Sequence, residues 1–259
     1  MNRPSVFKRP LRAVALGAGL VLLAATSSPW AAELSAAQLA QLKQKLTQNL
    51  PDFPPIDSAQ TTPMPGLIEL RSGNNIIYTD PKGEFVIQGN LLETKTQRNL
   101  TEERMDEINQ IDFASLPLKD AVVWKNGNGK RRVVVFADPN CGYCKRLEKD
   151  LQQVKDVTVY TFVVSILGDD SKVKANNIWC LKDRTQAWRD WMLNGAEPAK
   201  AFGMCATPLQ RNNALAQKLR VNGTPSMFFE DGTRLPSAAP VNVIEQRLTK
   251  ATAKVGGAS

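Results

Sequence analysis

Cys141-Gly142-Tyr143-Cys144 constrains this chain more than any other feature, because of what stands on either side of it. A strand-like run, Arg132 to Asp138, leads in, and a helix-like run, Lys145 to Val154, leads out. A thiol at the first turn of a helix faces unpaired backbone N–H groups and the positive end of the helix dipole, which stabilise its thiolate. A second cysteine one turn on can close a disulfide with it or resolve a mixed one. Two cysteines at this spacing also make half of a zinc site. Ligand counting weighs against the metal: the chain has no histidine, and its other cysteines, Cys180 and Cys205, do not form a second close pair. No metal or cofactor is expected.

The N-terminus indicates where such chemistry would take place. Arg3, Lys8, Arg9 and Arg12 precede an apolar stretch, Ala13 to Ala25, which gives way to small residues and Ala31-Ala32. That is the charged, apolar and cleavage-site order of a secretory signal, and residues 1–31 are expected to be removed. The apolar run stops well short of the roughly 20 residues needed to span a bilayer. An exported chain with an even cysteine count fits an oxidising compartment, and the bacterial character of the signal makes that the periplasm. Of the net charge of +8, four positive charges lie in the leader, which carries no acid, so the mature chain retains +4. That balance is too mild to argue for nucleic acid.

Three blocks follow the leader, and together they predict an α+β chain. The first, residues 32–96, opens with Ser35 as the cap of a helix from about Ala36 to Leu50, with Leu39, Leu42 and Leu46 at helical spacing. A Pro-rich linker, Pro51 to Pro65, ends it. Short β-like runs follow at Leu67–Arg71, Asn75–Thr79, Glu84–Gln88 and Asn90–Thr94, predicting an antiparallel meander. So small a sheet rarely stands alone without a disulfide, metal or partner chain, and it holds no cysteine, so a partner chain is expected.

The second block, residues 97–115, reads as a connecting helix capped by Asn99 with Glu102 three residues on, solvent-exposed in the main with a packed core helix as the alternative, and with Met105, Ile108 and Ile111 on one approximate face. The third, residues 116–259, alternates strand and helix signals. Val133 to Phe136 and Val157 to Ser165 are apolar runs of the kind buried on both faces. Leu147, Leu151 and Val154 mark the inner face of the helix between them, giving a β-α-β unit. A helical region from about Val173 to Leu219 is interrupted near Gly195 and Pro198. The chain returns through Thr224-Pro225 into a hairpin that turns at Asp231-Gly232, and a helix from Val241 to about Ala251 closes the block. This order around a Cys-x-x-Cys is that of a thioredoxin fold with a helical insertion.

The segment Phe136 to Lys145, Ile178-Trp179-Cys180, Val221 to Pro225 and the meander ending in Val86-Ile-Gln-Gly-Asn90 together resemble the DsbC/DsbG family of periplasmic thiol:disulfide interchange proteins. The resemblance covers nearly the whole mature chain. Gly142, Cys180 and Cys205 match its DsbC branch, since DsbG relatives usually carry Pro-Tyr between the cysteines and lack the second pair. The resemblance implies a V-shaped homodimer joined through the N-terminal meanders. Two thioredoxin-like domains would face an uncharged cleft that binds misfolded exported proteins, and a DsbD-type membrane reductase would supply electrons. The implied activity is disulfide isomerisation with chaperone-like client binding. The alternatives are a DsbG-like reductase of oxidised single cysteines and a non-catalytic holdase.

Within that frame Cys141 is expected to be the nucleophile, nearer solvent, and Cys144 its resolving partner. Gly142 and Tyr143 are expected to tune the couple: they bring no charge beside the thiolate, which suits a poise near −180 mV rather than the roughly −120 mV of a strong oxidase. Lys145 and Arg146 are read as solvated helix positions in preference to partners of the thiolate. Val135 stands where thioredoxin has a buried acid, so a proton acceptor is expected to be missing, and Asp138 reads as a strand-end acid. A generic X-Pro bond is cis only about 5–6% of the time, but Thr224-Pro225 resembles the cis-proline loop of thioredoxin-like proteins and is expected to offer backbone to an extended client. Cys180 and Cys205 are most simply a structural disulfide of the helical insert, a closure that contributes about 3–4 kcal/mol on chain-entropy grounds. A second redox pair is the alternative.

Overall fold

The computed structural model describes residues 32–201 and 205–257; the expected leader, residues 1–31, lies outside the described residues. Helix α1 spans Ala36–Asn49 and begins in a capping box, in which the Gln38 backbone N–H donates to the Ser35 hydroxyl and the Ser35 backbone N–H to the Gln38 side chain. Four antiparallel strands follow in spatial order β1-β2-β3-β4: Ser58–Thr61, Ile68–Ser72, Asn75–Thr79 and Val86–Ile87. Alternation sends Ile68, Leu70 and Ile77 to one face, where they meet Leu42 and Leu46 of α1. Ile76 and Tyr78 go to the other face, against Met105 and Ile108 of the next helix, α2 (Leu100–Ile108).

Several details depart from the sequence expectation. β1 lies inside the stretch read as a Pro-rich linker; it is a four-residue edge strand between prolines, where its one paired side suffices. β4 is only two residues long because the Asp80 carboxylate collects the backbone N–H groups of Lys82, Glu84 and Phe85, which bends those residues into a turn. The run Asn90–Thr94 does not extend the meander: Leu92–Glu93 (β5) pairs with Arg98–Asn99 (β6) as a separate ribbon. The connecting helix is shorter than 97–115 and is packed. It starts at the Asn99 cap, whose side chain accepts the Glu102 N–H, and stops at Asn109. One side of α2 covers the second face of the meander. Another presents Glu102 and Asp106 to the buried guanidinium of Arg247 in α7 (Val241–Gly256). Ile111 lies beyond the helix, and its N–H bonds to the carbonyl of Gly232 at 3.1 Å. Gly232 has φ +82°, and a Cβ there would come within 2.2 Å of the Ile111 carbonyl oxygen, so both backbone angle and space demand glycine.

The second sheet has the order β11-β10-β8-β9-β7. Central β8 (Arg131–Ala137) runs parallel to β9 (Val157–Val163). β7 (Val122–Asn126) pairs antiparallel to β9, and β10 (Ser226–Phe229) antiparallel to β8. β11 (Arg234–Leu235) closes the hairpin. β8 is buried on both faces, which explains its unbroken apolar run. Val133, Val135 and Ala137 face α3 (Gly142–Leu151) and α7 through Leu147, Leu151, Ile244 and Leu248. Val134 and Phe136 face Phe162, Phe228 and Ala216 of α6 (Leu209–Lys218). Phe113 packs in this second cluster, so the core of the third block begins before the boundary expected at residue 116. The insert comprises α4 (Asp169–Cys180), α5 (Arg184–Arg189) and a π-helical turn, Asp190–Asn194, that ends at Gly195 in the left-handed region.

The Phe136 ring stacks on Phe162 at 5.1 Å and meets Phe228 edge-on at 5.8 Å, fully out of solvent. Phe136→Ala is therefore expected to lower stability by about 3–5 kcal/mol, read from urea unfolding at neutral pH. A loss below about 1 kcal/mol would mean that this aromatic cluster does not anchor the sheet.

Candidate functional site

The site forms where β8 stops. Beyond Ala137 the chain turns through Asp138-Pro139-Asn140, and Cys141 caps α3, its Sγ accepting the Cys144 N–H at 3.3 Å. Asp138 directs this turn. Its carboxylate is withdrawn from solvent and accepts the N–H groups of Asn140 (2.8 Å), Ile166 (2.8 Å) and Leu167 (3.0 Å) and the hydroxyl of Ser171 (2.6 Å). Its carbonyl accepts the Cys141 N–H at 3.1 Å. The strand-end acid of the sequence reading thus ties the cysteine loop to the β9–α4 loop and the first turn of α4.

On the opposite side the Thr224-Pro225 peptide is cis, and the Thr224 carbonyl accepts from the Cys141 thiol at 3.3 Å. The structure therefore brings Cys141, Cys144 and the Thr224-Pro225 loop together. Both cysteines are buried, Cys141 at 6% exposure and Cys144 at 2%, so Cys141 is the outer of the two by a small margin. Burial, reinforced by the neighbouring Cys141 sulfur, pushes the Cys144 thiol above the ordinary thiol range. Tyr143 projects into solvent, and a Cβ on Gly142 would meet nothing within 4 Å, so packing does not select glycine there.

Cys180 and Cys205 do not join this group. They are bonded to each other, with Cα atoms 5.9 Å apart, and link the end of α4 to the segment before α6. Lys145 does not face the thiolate position either. Its ammonium lies 3.7 Å from the centre of the Trp191 ring, whose indole N–H donates to the Pro139 carbonyl at 2.6 Å.

Glu148 was not singled out from the sequence. It lies on α3 one turn after Cys144, buried in the core, with Oε2 accepting the Trp188 indole N–H at 3.3 Å. Oε1 has no protein partner, and the indole N–H of nearby Trp124 is also unpaired. Burial pushes its carboxyl up to about 7, an effect the two indoles and Arg189 only partly offset. The available signal was its spacing, four residues after Cys144 and three before Leu151, which sets it beside the apolar stripe rather than opposite it.

A five-stranded sheet with a cysteine-capped helix at the end of its central strand, and a cis-proline loop against that cysteine, defines a thioredoxin-like thiol-disulfide oxidoreductase. A thioredoxin-like domain family model matches residues 118–252, and one described as disulfide bond isomerase protein N-terminal domain matches residues 33–102. The chain is 39% identical over 207 residues to a probable thiol:disulfide interchange protein DsbC of Bordetella parapertussis, covering 80% of this chain and 73% of that protein. It is 26% identical over 196 residues to thiol:disulfide interchange protein DsbC of Escherichia coli K12, covering 73% and 79%. Among solved structures, a disulfide interchange protein from Neisseria gonorrhoeae is 37% identical, with a TM-score of 0.50 over 52% of this chain and 98% of that one. The chain belongs to the DsbC family of thiol:disulfide interchange proteins.

The raised Glu148 carboxyl makes a prediction about stability. A carboxylate with a folded value above its unfolded one holds its proton more tightly when folded, so its contribution is favourable in acid and is lost as pH rises from about 4.5 through about 7. Glu148→Gln removes that loss. Relative to the parent, the variant is expected to gain stability progressively between these two limits, by up to about 3 kcal/mol at slightly alkaline pH. Urea melts of both proteins across that range measure it; a difference that does not change with pH would refute it.

Proposed function

We propose that the chain is a periplasmic disulfide isomerase acting on misfolded exported proteins through the Cys141-Gly142-Tyr143-Cys144 dithiol. The observation that carries this reading is the Cys141 sulfur itself. It sits at a helix N-terminus, accepts a helix N–H and touches the carbonyl of Thr224 beside cis Pro225. A sulfur there faces a backbone donor and the positive end of the helix dipole, in a chain that has no histidine. Cys141 attacks a wrong disulfide in the client and forms a mixed disulfide; Cys144 resolves it when the client does not rearrange and leave by itself. Gly142 and Tyr143 set the poise of the couple, and the Thr224-Pro225 loop lends main-chain hydrogen bonds to an extended client. Cys180–Cys205 is a structural bond, and neither metal nor cofactor takes part.

Residues 32–96 serve as a dimerisation unit for a second copy of the chain. In support, β4 is an edge strand paired only with β3 among the described residues, with Ile87 and the preceding Phe85 exposed, a feature that favours strand pairing with a partner. Chaperone-like binding draws on the exposed Tyr143, Ile166 and Leu167, the last two held by the same Asp138 carboxylate that shapes the cysteine loop. A DsbD-type membrane reductase keeps the pair reduced, and the leader of residues 1–31 directs export.

Alkylation of the reduced protein across pH, followed by peptide mapping, is expected to label Cys141 first, and Cys141→Ser is expected to abolish refolding of a scrambled multi-disulfide client. Preferential labelling of Cys144 at neutral pH would overturn the roles, and undiminished refolding by Cys141→Ser would leave a holdase.

A chain starting at Gln110, which retains Phe113, is expected to be a folded monomer that still exchanges with a small disulfide yet loses most isomerase activity on the scrambled client. Sedimentation and the refolding assay test both halves. Full rescue by the monomer would remove dimerisation from the mechanism.

A further inference from the structure

The chemistry above leaves unused a carboxylate buried beneath the cysteine pair. Side chains on a helix lean toward its N-terminus, and residues four apart share a face. Glu148 is therefore directed back along α3 toward the turn that carries Cys144; Cys144 belongs to the buried cluster that also holds Leu147, Trp124 and Trp188, and Glu148 is bonded to the last of these. As a purely structural element Glu148 is poorly provided for: one indole bond, one oxygen with no protein partner, and no ion pair. The charge that bears on it is Arg189 of α5, which is itself bonded to the Gln152 side chain at 2.7 Å. The groups facing it from α5 and β7, the Trp188 and Trp124 indoles, are neutral, and on α3 it stands four residues after Cys144. β8 contributes apolar Val135 in place of an acid.

We propose that Glu148 is the proton acceptor for Cys144 in the resolving step. The inference rests on the assignment of Cys141 as nucleophile and Cys144 as resolving thiol. In the mixed disulfide, Glu148 takes the Cys144 proton, directly or through one water molecule, as the Cys144 sulfur attacks Cys141 Sγ. The Cys141–Cys144 bond forms while the Cys141–client bond breaks. The client sulfur leaves with the electron pair and is protonated by solvent, so the enzyme dithiol is oxidised by two electrons and the client sulfur is reduced. In reverse, protonated Glu148 returns the proton to Cys144 as it leaves. A resolving thiol held above the ordinary range by burial needs such a base, and a carboxyl raised to about 7 is matched to neutral pH. The acid missing from β8 is thus supplied from α3.

The test is stopped-flow oxidation of the full-length reduced protein by excess symmetric nitrobenzoate disulfide, whose released thiolate is coloured. The first release reports attack by Cys141 and scales with reagent concentration. The second is unimolecular and reports attack of Cys144 on Cys141 Sγ. Glu148→Gln is expected to leave the first phase within about 2-fold and to slow the second by about 10-fold or more at neutral pH. The parent's second phase should inflect near pH 7, whereas that of the variant should climb with thiolate fraction and show no inflection. Glu148→Asp, which keeps a carboxylate, should recover part of the rate.

A second phase in Glu148→Gln with the parent's rate and inflection overturns the proposal. So does equal slowing of both phases in Gln and Asp variants, which marks a structural role. Failure of the underlying assignment is separately visible: Cys144→Ser would keep its second phase, or Cys141→Ser its first.

Discussion

Asp138 stands at the end of the central strand with its carboxylate fully withdrawn from solvent, a position tolerable only because four donors surround it. Three are backbone N–H groups from two different loops, and the fourth is the Ser171 hydroxyl at the start of α4. Charge-assisted bonds of this kind are about twice as strong as neutral ones, and removing the acceptor would strip the donors gathered on it of that partner. Everything at the redox end of the sheet hangs on that arrangement. It sets the turn that delivers Cys141 to the helix cap, holds Ile166 and Leu167 beside it, and places the insert so that Trp191 can bond Pro139. The Cys141 sulfur then meets Thr224 across a gap whose two walls are separately anchored.

The N-terminal unit solves a different problem. A four-stranded meander has too little area to hold itself together from one side, and here both faces are covered, by α1 on one and α2 on the other. Because α2 also offers Glu102 and Asp106 to buried Arg247, the element that completes the small core is the one that docks on the catalytic unit. A buried guanidinium between two carboxylates is weak evidence of net stability but a strong constraint on register, since a shifted helix would leave a charge unpaired. The close approach of Ile111 to Gly232 adds a steric constraint a few residues on.

These two cases mark what the sequence makes legible. Signals confined to one element were readable: the Ser35 and Asn99 caps, the apolar run of β8, the cysteine pair at a helix start, and Gly232 in the hairpin turn. Signals that depend on partners far along the chain were not. Ser58–Thr61 has no strand pattern strong enough to stand out among prolines, and becomes a strand only because Arg71 to Ile68 lie opposite it. Met105 and Ile108 looked like one face of a spacer because nothing local says that Ile76 and Tyr78 need covering. Asp138 read as an ordinary strand-end acid, since two of its donors, Ile166 and Leu167, sit 28 and 29 residues on, in another loop. Glu148 was invisible for a related reason: a glutamate on a helix is normally solvated, and only the indole of Trp188, 40 residues away, marks it as buried.

The same helix treats its two sulfurs in opposite ways, and this follows from where each falls along it. At the cap, the Cys144 N–H donates to the Cys141 sulfur. One turn later the backbone donors are spent within the helix, the surroundings are apolar, and the Cys144 sulfur is held as a thiol by desolvation. A helix that began one residue later would lose the cap geometry, and one that lay less deeply in the core would lose the contrast. That contrast is made without any charged side chain between the cysteines. The difference between the two sulfurs is built by the backbone and by burial, and the residues between them, Gly142 and Tyr143, carry no charge.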